Sequence, residues 1–360
     1  MPNKTPFFAQ HEKLNAALTD FHDWMLPMHY GSPIAEHNAV RQQCGLFDTS
    51  HMGEIEVQGK DAEKLLQSLL VRDISAMKAG QIRLAAMCNE DGGIMDDLTV
   101  YKFSGEKFWL VVNAGPYESD LLWIKRNAKG VDAKAEGLRS NTAKLDLQGP
   151  KAERVLQKLV KENLNEIKYY NFKEMQVADV GCIASRSGYT GEDGFELYFD
   201  SGSSEKVWNA LMQAGKEFGL MPCGLAARDS LRLEAGMLLY GQDIDSEHSI
   251  LLCPYEKIVS WNKGFFGKRA LVKQRRLGVR EKLIGFELVE KGIARHGCEI
   301  LVGEKKAGIA TSAGFSPTLK KSIGLGYIAK EFGEIGQEIE IDIRGKRVKA
   351  KVVDLPFYRR

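Results

Sequence analysis

The sequence predicts an α+β fold, in which a duplicated α+β module is followed by a C-terminal antiparallel β-barrel. The chain has 360 residues, a length that allows two or three domains. One stretch of fourteen residues occurs twice in its first two-thirds, which indicates a duplication. From residue 282 onward, short apolar runs alternate with glycine turns, a pattern typical of a small barrel or sandwich.

The repeat comprises residues 57–70 and 147–160, which are identical at seven of the fourteen positions. Each copy predicts a strand end, a glycine turn and an amphipathic helix. Pro150 suits the first turn of the second helix, and Asp61 suits the cap of the first. Because such copies often pack about a pseudo-twofold axis, we expect a central cleft between them.

Two adjacent carboxylates, Asp96 and Asp97, follow a glycine turn and lead into a run of β-branched and aromatic residues. Neighbouring side chains of a strand point to opposite faces, so only one of the two can face a cleft. With a gap of three residues, the repeat continues downstream and aligns Asp97 with Glu196. We predict two acidic groups at equivalent places, facing one ligand; the alternative is two solvated acids at strand edges.

Three other regions have distinct patterns. Residues 205–218 and 227–236 carry apolar residues at helical spacing and are predicted to be helices. Residues 263–280 are basic, and we favour a solvated linker there over a docking surface for an acidic partner. The predicted barrel strands are short and apolar, and they comprise residues 283–288, 298–302, 307–311, 323–328, 338–343 and 347–353.

The composition argues against several kinds of partner. A net charge of +2 is unsuited to nucleic acid or an anionic membrane, and no apolar run approaches membrane-spanning length. The six cysteines are scattered among apolar neighbours, which is typical of reduced, mostly buried thiols in a cytoplasmic protein. The histidines lack metal-binding spacing, so we expect no metal site.

Shorter motifs are weaker signals. Residues 324–329 match G-x-G-x-x-A but lie in the strand-rich region rather than between a strand and a helix, so a dinucleotide site is not expected. His51 is interpreted as structural or pocket-lining. The glycine-rich loop at 186–196 would let the backbone approach a flat ligand. Arg228 would hold a carboxylate in a bidentate manner unless it pairs with Asp229.

Longer motifs identify a family. They occur in order along nearly the whole chain, at 45–54 (GLFDTSHMGE), 92–98 (GGIMDDL), 148–150 (QGP), 188–194 (GYTGEDG), 227–229 (ARD), 240–242 (YGQ) and 316–319 (SPTL). On these motifs the chain resembles the T-protein family of the glycine cleavage system. The resemblance implies three domains, with duplicated ferredoxin-like modules around a central tetrahydrofolate site. The implied domains are 1–51 with 140–245, 52–139 with 246–278, and the barrel at 279–360.

The resemblance also implies an aminomethyltransferase reaction. An aminomethyl group arrives on the lipoyl arm of H-protein, and its one-carbon unit passes to tetrahydrofolate with release of ammonia. Asp97 matches the family's catalytic acid, and Glu196 matches the acid that hydrogen-bonds the pterin. The remaining matches are two ligand-binding arginines and four residues of the folate pocket, namely Arg228, Arg359, Met52, Tyr101, Tyr169 and Tyr189.

The chain departs from the family pattern at several positions. Leu84 stands where a tyrosine is usual, Met237 where some members are aromatic, and residues 249–255 replace an Asn-Pro-hydrophobic-Glu-Ala-Gly stretch. These departures keep a second function open, a folate-dependent demethylase acting on a small methylated amine or sulfonium compound without H-protein. A folate-binding accessory protein is disfavoured, because residues 237–242 lack the cysteine of that branch and Asp97 is retained.

Overall fold

The computed structural model describes all 360 residues, which form eight α-helices and twenty β-strands. The helices are α1 (Phe8–Lys13), α2 (Pro33–Gln42), α3 (Ala62–Leu69), α4 (Tyr117–Asn127), α5 (Ala152–Gln157), α6 (Ser204–Gly215), α7 (Leu225–Glu234) and α8 (Lys268–Leu277). The strands are β1 (Asn3–Lys4), β2 (Ala17–Phe21), β3 (Trp24–His29), β4 (Cys44–Asp48), β5 (Gly53–Gln58), β6 (Gln81–Cys88), β7 (Ile94–Lys102), β8 (Lys107–Val112), β9 (Lys134–Gly137), β10 (Thr142–Gln148), β11 (Phe172–Val177), β12 (Val180–Ser185), β13 (Gly194–Asp200), β14 (Leu220–Pro222), β15 (Glu281–Leu288), β16 (Glu299–Val302), β17 (Lys305–Ser316), β18 (Lys321–Ala329), β19 (Glu338–Ile343) and β20 (Lys346–Val353).

Two consecutive segments have the same order of elements, β-α-β-β-β-α-β. The first copy runs from β5 to β9 and the second from β10 to β14. Their sheets also share a strand order, β6-β7-β8-β5-β9 in the first copy and β11-β12-β13-β10-β4-β14 in the second. The extra strand β4 pairs antiparallel with β10 and parallel with β14. The predicted duplication of an α+β module is therefore confirmed.

The repeated glycine forms the same turn in both copies. β5 and β10 each end at a glutamine, and Gly59 and Gly149 follow with φ values of 137° and 127°. A Cβ on Gly59 would lie 2.2 Å from the Asp132 carbonyl oxygen, and one on Gly149 would lie 2.6 Å from that of Val40. Only glycine satisfies both the conformation and the space, which explains why this turn is shared by the two copies.

The sheet of the second copy has one apolar and one polar face, because alternate residues of a strand point to opposite sides. Its apolar face packs on α5 and α6 in the largest core of this region. The strand residues of that core are fully or nearly fully buried, and they include Cys44, Leu46, Ala143, Leu145, Leu147, Phe195, Leu197 and Phe199. The opposite face therefore receives Lys144, Asp146 and Glu196.

An aromatic cluster joins the two copies on that second side. The ring centroid of Tyr101 on β7 lies 5.2 Å from that of Phe172 on β11 and 5.7 Å from that of Tyr198 on β13. Ile82 and Ile183 are buried in the same cluster. The copies thus share an apolar contact that isolates the neighbouring polar groups from water.

The C-terminal strands form a closed barrel in the order β15-β18-β17-β16-β19-β20, with antiparallel neighbours. This confirms the predicted barrel. Residues 324–329 lie within β18, as expected for a sequence that is not a dinucleotide site. A Cβ on Gly324 would lie 2.4 Å from the Phe286 ring in the barrel interior, so the glycine serves packing.

The predicted helices at 205–218 and 227–236 correspond to α6 and α7, but the predicted linker at 263–280 was wrong. It contains α8, which begins after Gly267 and ends before Gly278, both in positive-φ conformations. Leu271 is fully buried against residues of the same region. Half of the α8 side chains are basic, and this charge masked the helical pattern.

Contacts divide the chain into two compact units. Unit 1 comprises Met1–Leu66, Ile74–Ala85 and Leu98–Asp229. Unit 2 comprises Gln67–Asp73, Ala86–Asp97 and Ser230–Arg360, and contains the barrel. The three-domain boundaries stay a prediction. All six thiols are free and five are buried, as expected. None of the helices combines the length and apolar character that crossing a bilayer requires.

Candidate active site

Charged side chains gather on the polar face of the second-copy sheet, within unit 1. Lys144 and Asp146 alternate with leucines along β10, and Asp146 lies directly opposite Glu196 of β13. The side chains of Lys144, Asp146 and Glu196 are 2%, 0% and 12% exposed. Two like charges at directly opposed positions repel each other, so this buried pair needs compensation.

Two cations supply that compensation. The Lys144 Nζ lies 2.7 Å from Glu196 Oε1, and Arg228 of α7 donates from Nη1 to Asp146 Oδ2 at 2.9 Å. Neutral donors complete each carboxylate, because Ser187 Oγ lies 2.5 Å from Glu196 Oε2 and Gln148 Nε2 lies 2.6 Å from Asp146 Oδ1. The four formal charges cancel, which is the condition under which buried ions are tolerated.

These contacts separate the acidities of the two carboxyl groups. Burial alone would raise the pKa of Glu196, but the charge of Lys144 and the hydrogen bonds from Lys144 and Ser187 outweigh burial and lower it. For Asp146, burial and the charge of Glu196 raise the pKa against the opposing effect of Arg228. Glu196 is therefore the more firmly ionised member of the pair.

A chain of hydroxyl groups connects Glu196 to Tyr101. Ser187 Oγ lies 3.0 Å from Ser185 Oγ, which lies 3.0 Å from the Tyr101 hydroxyl. Tyr101 also hydrogen-bonds the Tyr198 hydroxyl at 2.9 Å and is completely buried. Tyr101 therefore lies behind Glu196, three hydrogen bonds away, and supports its position.

Three other predicted residues lie in unit 1. The sulfur of Met52 lies 3.3 Å from Lys144 Nζ. The guanidinium carbon of Arg228 lies 4.8 Å from the centre of the Tyr189 ring, a cation–π distance. Tyr169 is 53% exposed, with its ring 4.9 Å from that of Tyr170. Met52 and Tyr189 thus touch the cations of the buried cluster, whereas Tyr169 lies at the surface of the unit.

Burial favours the neutral form of two groups near this cluster. Burial, followed by the charge of Arg228, lowers the pKa of His51 to about 3, and burial raises the pKa of Glu54 to about 8. No protein group hydrogen-bonds His51 Nδ1 or Glu54 Oε1. Because buried polar atoms are normally paired, both remain available to a ligand or water.

Asp97 belongs to unit 2 and lies near the start of β7. Exposure alternates along this strand, so that Asp96 is fully buried and Asp97 is partly exposed. The two carboxylates therefore occupy opposite faces, as the sequence predicted. The hydroxyl of Tyr255 donates a hydrogen bond to Asp97 Oδ2 at 2.9 Å. In the same unit, Arg359 is exposed and pairs with Asp354 at 3.0 Å.

Family models match nearly the whole chain. The GCVT N-terminal domain matches residues 7–263, and the glycine cleavage T-protein C-terminal barrel domain matches residues 281–359. The chain belongs to the glycine cleavage T-protein family.

Individual relatives of this T-protein agree. The chain is 46% identical over 359 residues to an aminomethyltransferase of Thermoanaerobacter sp. (strain X514), covering 99% of this chain and 98% of the relative. It is 46% identical over 360 residues to an aminomethyltransferase of Bacillus mycoides (strain KBAB4), covering 99% and 98%. The crystal structure of glycine cleavage system aminomethyltransferase T from Bartonella henselae matches with a TM-score of 0.93 at 32% identity, covering 99% and 98%. The chain is thus a transferase of the aminomethyltransferase family.

One prediction from the sequence was wrong: Asp97 and Glu196 are not at equivalent positions of the repeat. Glu196 lies opposite Asp146, and Asp146 is two residues before Gln148, the last residue of β10. The same position of the first copy is Trp109 on β8, opposite Glu56. Asp97 lies on β7, one strand farther from the glycine turn. The gapped alignment matched two short acidic, glycine-containing runs that belong to different strands.

Three side chains that contact the predicted site residues were not identified from the sequence. Lys144 and Asp146 alternate with leucines, a pattern that predicts a strand with one polar face, but their partners are set by strand pairing and are distant in sequence. Tyr255 lay in a stretch noted only for departing from the family. Its contact with Asp97 joins residues 158 positions apart.

Proposed function

We propose that this chain transfers the one-carbon unit of an aminomethyl group from the lipoyl arm of H-protein to tetrahydrofolate and releases ammonia. The carbon leaves sulfur and nitrogen and becomes bonded to two folate nitrogens. The two protons lost from those nitrogens pass to the lipoyl thiol and to ammonia, so the exchange balances. The observation that carries this proposal is the buried, ionised Glu196 in a chain that also keeps Asp97 on the accessible face of β7.

Glu196 is proposed to recognise the pterin. The edge of that ring presents several N–H donors, and an ionised carboxylate is a strong acceptor for them. Lys144 and Ser187 each occupy one oxygen of Glu196, and a carboxylate has about four acceptor positions, so capacity remains. The donor set therefore fits the ligand, and Lys144 fixes both the orientation and the charge of Glu196.

The other proposed binding residues follow from their contacts. Tyr189 and Met52 lie against Arg228 and Lys144, so they would present ring and thioether surface beside charged groups. Tyr101 would act through the hydroxyl chain behind Glu196. We assign Tyr169 to the pocket lining, and Arg228 and Arg359 to ligand binding, on the family resemblance.

Asp97 is proposed to carry the catalytic step. A carboxylate near the reacting carbon would accept a proton and stabilise the positive charge that develops as ammonia leaves. Its partial exposure leaves it accessible to substrate, whereas buried Asp96 is not. The start of a strand also holds the group more rigidly than a loop would.

A second candidate function is supported by one observation. The resemblance implies that residues 249–255 differ from the usual family pattern, and this stretch delivers the Tyr255 hydroxyl to Asp97. A changed environment at the catalytic acid suits a different one-carbon donor. The alternative is a demethylase that takes a methyl or methylene unit from a small amine or sulfonium compound.

The deciding experiment measures methylenetetrahydrofolate formation from tetrahydrofolate and aminomethyl-loaded H-protein. Asp97→Asn keeps the shape but removes the charge, so turnover should fall by about 10²–10⁴-fold while folate binding persists. Asp91→Asn, at an exposed turn position before the same strand, is the matched control and should remain active. Full turnover by Asp97→Asn would contradict the proposed role. Activity only with a small methylated donor, and without H-protein, would establish the alternative.

A further inference from the structure

The hydroxyl of Tyr255 is directed at the proposed catalytic acid. It donates to Asp97 Oδ2 at 2.9 Å, and both side chains are partly buried within unit 2. A hydrogen bond to an ionised acceptor is about twice as strong as a neutral one and restricts the rotation of the carboxylate. Tyr255 therefore influences both the orientation of Asp97 and its preference for the charged state.

The segment that carries Tyr255 is attached to the strand that carries Asp97. Ile250 N donates to the Gly92 carbonyl at 3.1 Å, and Ile94 N donates to the His248 carbonyl at 3.2 Å. A Cβ on Gly93 would lie 1.9 Å from the Ser246 carbonyl oxygen, so the two backbones are in close contact. These bonds fix the segment next to the first residues of β7.

Apolar packing fixes the same segment from the other side. Ile250, Leu251 and Cys253 are at most 6% exposed and belong to the cluster that contains Ile94. A short 3-10 helix, Pro254–Ile258, then begins with proline, whose restricted φ suits a first helical turn. Tyr255 thus starts from a buried anchor, and its position relative to Asp97 is determined by the fold.

We propose that Tyr255 is a positioning residue for Asp97. Its phenol donor holds one carboxylate oxygen of Asp97, fixes the orientation of the carboxylate and favours the ionised form. This inference rests on the proposed catalytic role of Asp97. It gives the segment 249–255 a chemical role, since this segment supplies the donor.

The test is Tyr255→Phe, which removes one oxygen atom and keeps the ring. We expect kcat to fall roughly three- to tenfold, with KM for tetrahydrofolate changed less than about twofold, since the contact is partly exposed and screened. Loss of the donor disfavours the carboxylate, so the acid limb of the kcat/KM profile should move to higher pH by about half a unit to one unit. A role limited to packing would not move that limb.

Tyr327→Phe is the matched control within unit 2. Its hydroxyl donates to the Asp243 backbone carbonyl at 2.9 Å and not to Asp97. This variant should lose some thermal stability while its pH profile keeps its position. The position of the limb does not depend on the folded fraction when that fraction is the same at every pH, so circular dichroism at each pH accompanies the rates and keeps the test valid if Tyr255→Phe is less stable.

The Asp97→Asn background separates the two ideas. If Asp97→Asn abolishes most turnover but Tyr255→Phe changes neither kcat nor the pH profile, the positioning role is overturned and the catalytic role stands. If Asp97→Asn keeps full turnover, the proposed function itself fails. In the double variant, Tyr255→Phe should add no further loss to the residual rate, because its charged partner is gone.

Discussion

The two copies of the β-α-β-β-β-α-β module share their backbone plan but carry different chemistry at matching positions. In the first copy, Glu56 on β5 lies opposite Trp109, whose indole donates to it at 2.9 Å. In the second copy, the same position is Asp146, which lies opposite Glu196. The first pair is a partly exposed hydrogen bond, whereas the second is a buried pair of acids that needs Lys144 and Arg228. Duplication thus preserved the turn and the pairing, and a few side chains made one copy a candidate binding site.

The largest expected effect concerns the cation of the second copy. Lys144→Met leaves Glu196 buried without its ion-pair partner, and we expect a loss of about 3–5 kcal/mol in the free energy of unfolding. The first-copy control is Lys107→Met, which breaks a contact to Glu56 whose side chains are 38% and 19% exposed. Because solvent screens that pair, the loss should stay below about 1 kcal/mol. Urea unfolding measures the loss of stability in both variants, and equal losses would contradict an energetic difference between the copies.

The next effect concerns ligand recognition. Glu196→Gln removes the charge but retains the shape, so affinity for tetrahydrofolate should fall by roughly 10–100-fold, equivalent to about 1.4–2.8 kcal/mol. Glu56→Gln changes an acid of the other copy and should leave affinity nearly unchanged. Calorimetric titration with tetrahydrofolate provides the comparison. If the two variants bind equally well, Glu196 does not recognise the pterin.

The effect that is smallest for each step of one pH unit is a pH dependence within β5. The pKa of Glu54 is raised to about 8 by burial. Between about pH 4.5 and 8 the native state therefore keeps a proton on Glu54 that the unfolded state loses. Stability from this group is complete below pH 4.5 and is lost as pH rises through 8. The free energy of unfolding of Glu54→Gln should therefore increase relative to that of the wild type, by up to about 1 kcal/mol for each pH unit across this range.

Glu56→Gln is the control with opposite sign. Burial works against ionisation of Glu56, but hydrogen bonds from Lys107 and Trp109 outweigh it and lower its pKa. The stability from Glu56 is present above its ordinary pKa and is lost on acidification, so its variant should be less stable at pH 7 and converge with the wild type in acid. Thermal unfolding at about pH 3, 5, 7 and 9 distinguishes the two, and parallel curves would contradict the assignment.

The sequence was informative wherever the decisive contacts are local. Gly59 and Gly149 mark turns whose requirements are set by the backbone, and the alternation around Asp96 and Asp97 follows from strand geometry. The barrel was predictable because short apolar strands and glycine turns follow one another closely.

What depends on distant pairing was not predictable. The register that sets Asp146 against Glu196 joins strands separated by two others in the chain, so no linear pattern contains it. The predicted equivalence of Asp97 and Glu196 was wrong for the same reason, because a gapped alignment contains no information about strand order. The contact of Tyr255 with Asp97 depends on a fold-back between residues 92–94 and 248–250.

The inserted strand β4 has a consequence for the order of folding. All strands of the first copy come from one continuous stretch, so its sheet can assemble as soon as β9 has been synthesised. The sheet of the second copy also contains β4, which precedes the first copy in the chain. Both edges of β4 are paired only after β10 and then β14 have been synthesised. Long loop closure makes such pairing slow. During synthesis on the ribosome the first copy should therefore mature early, while the buried carboxylates of the second copy acquire their surroundings only after the last strand of its sheet has emerged.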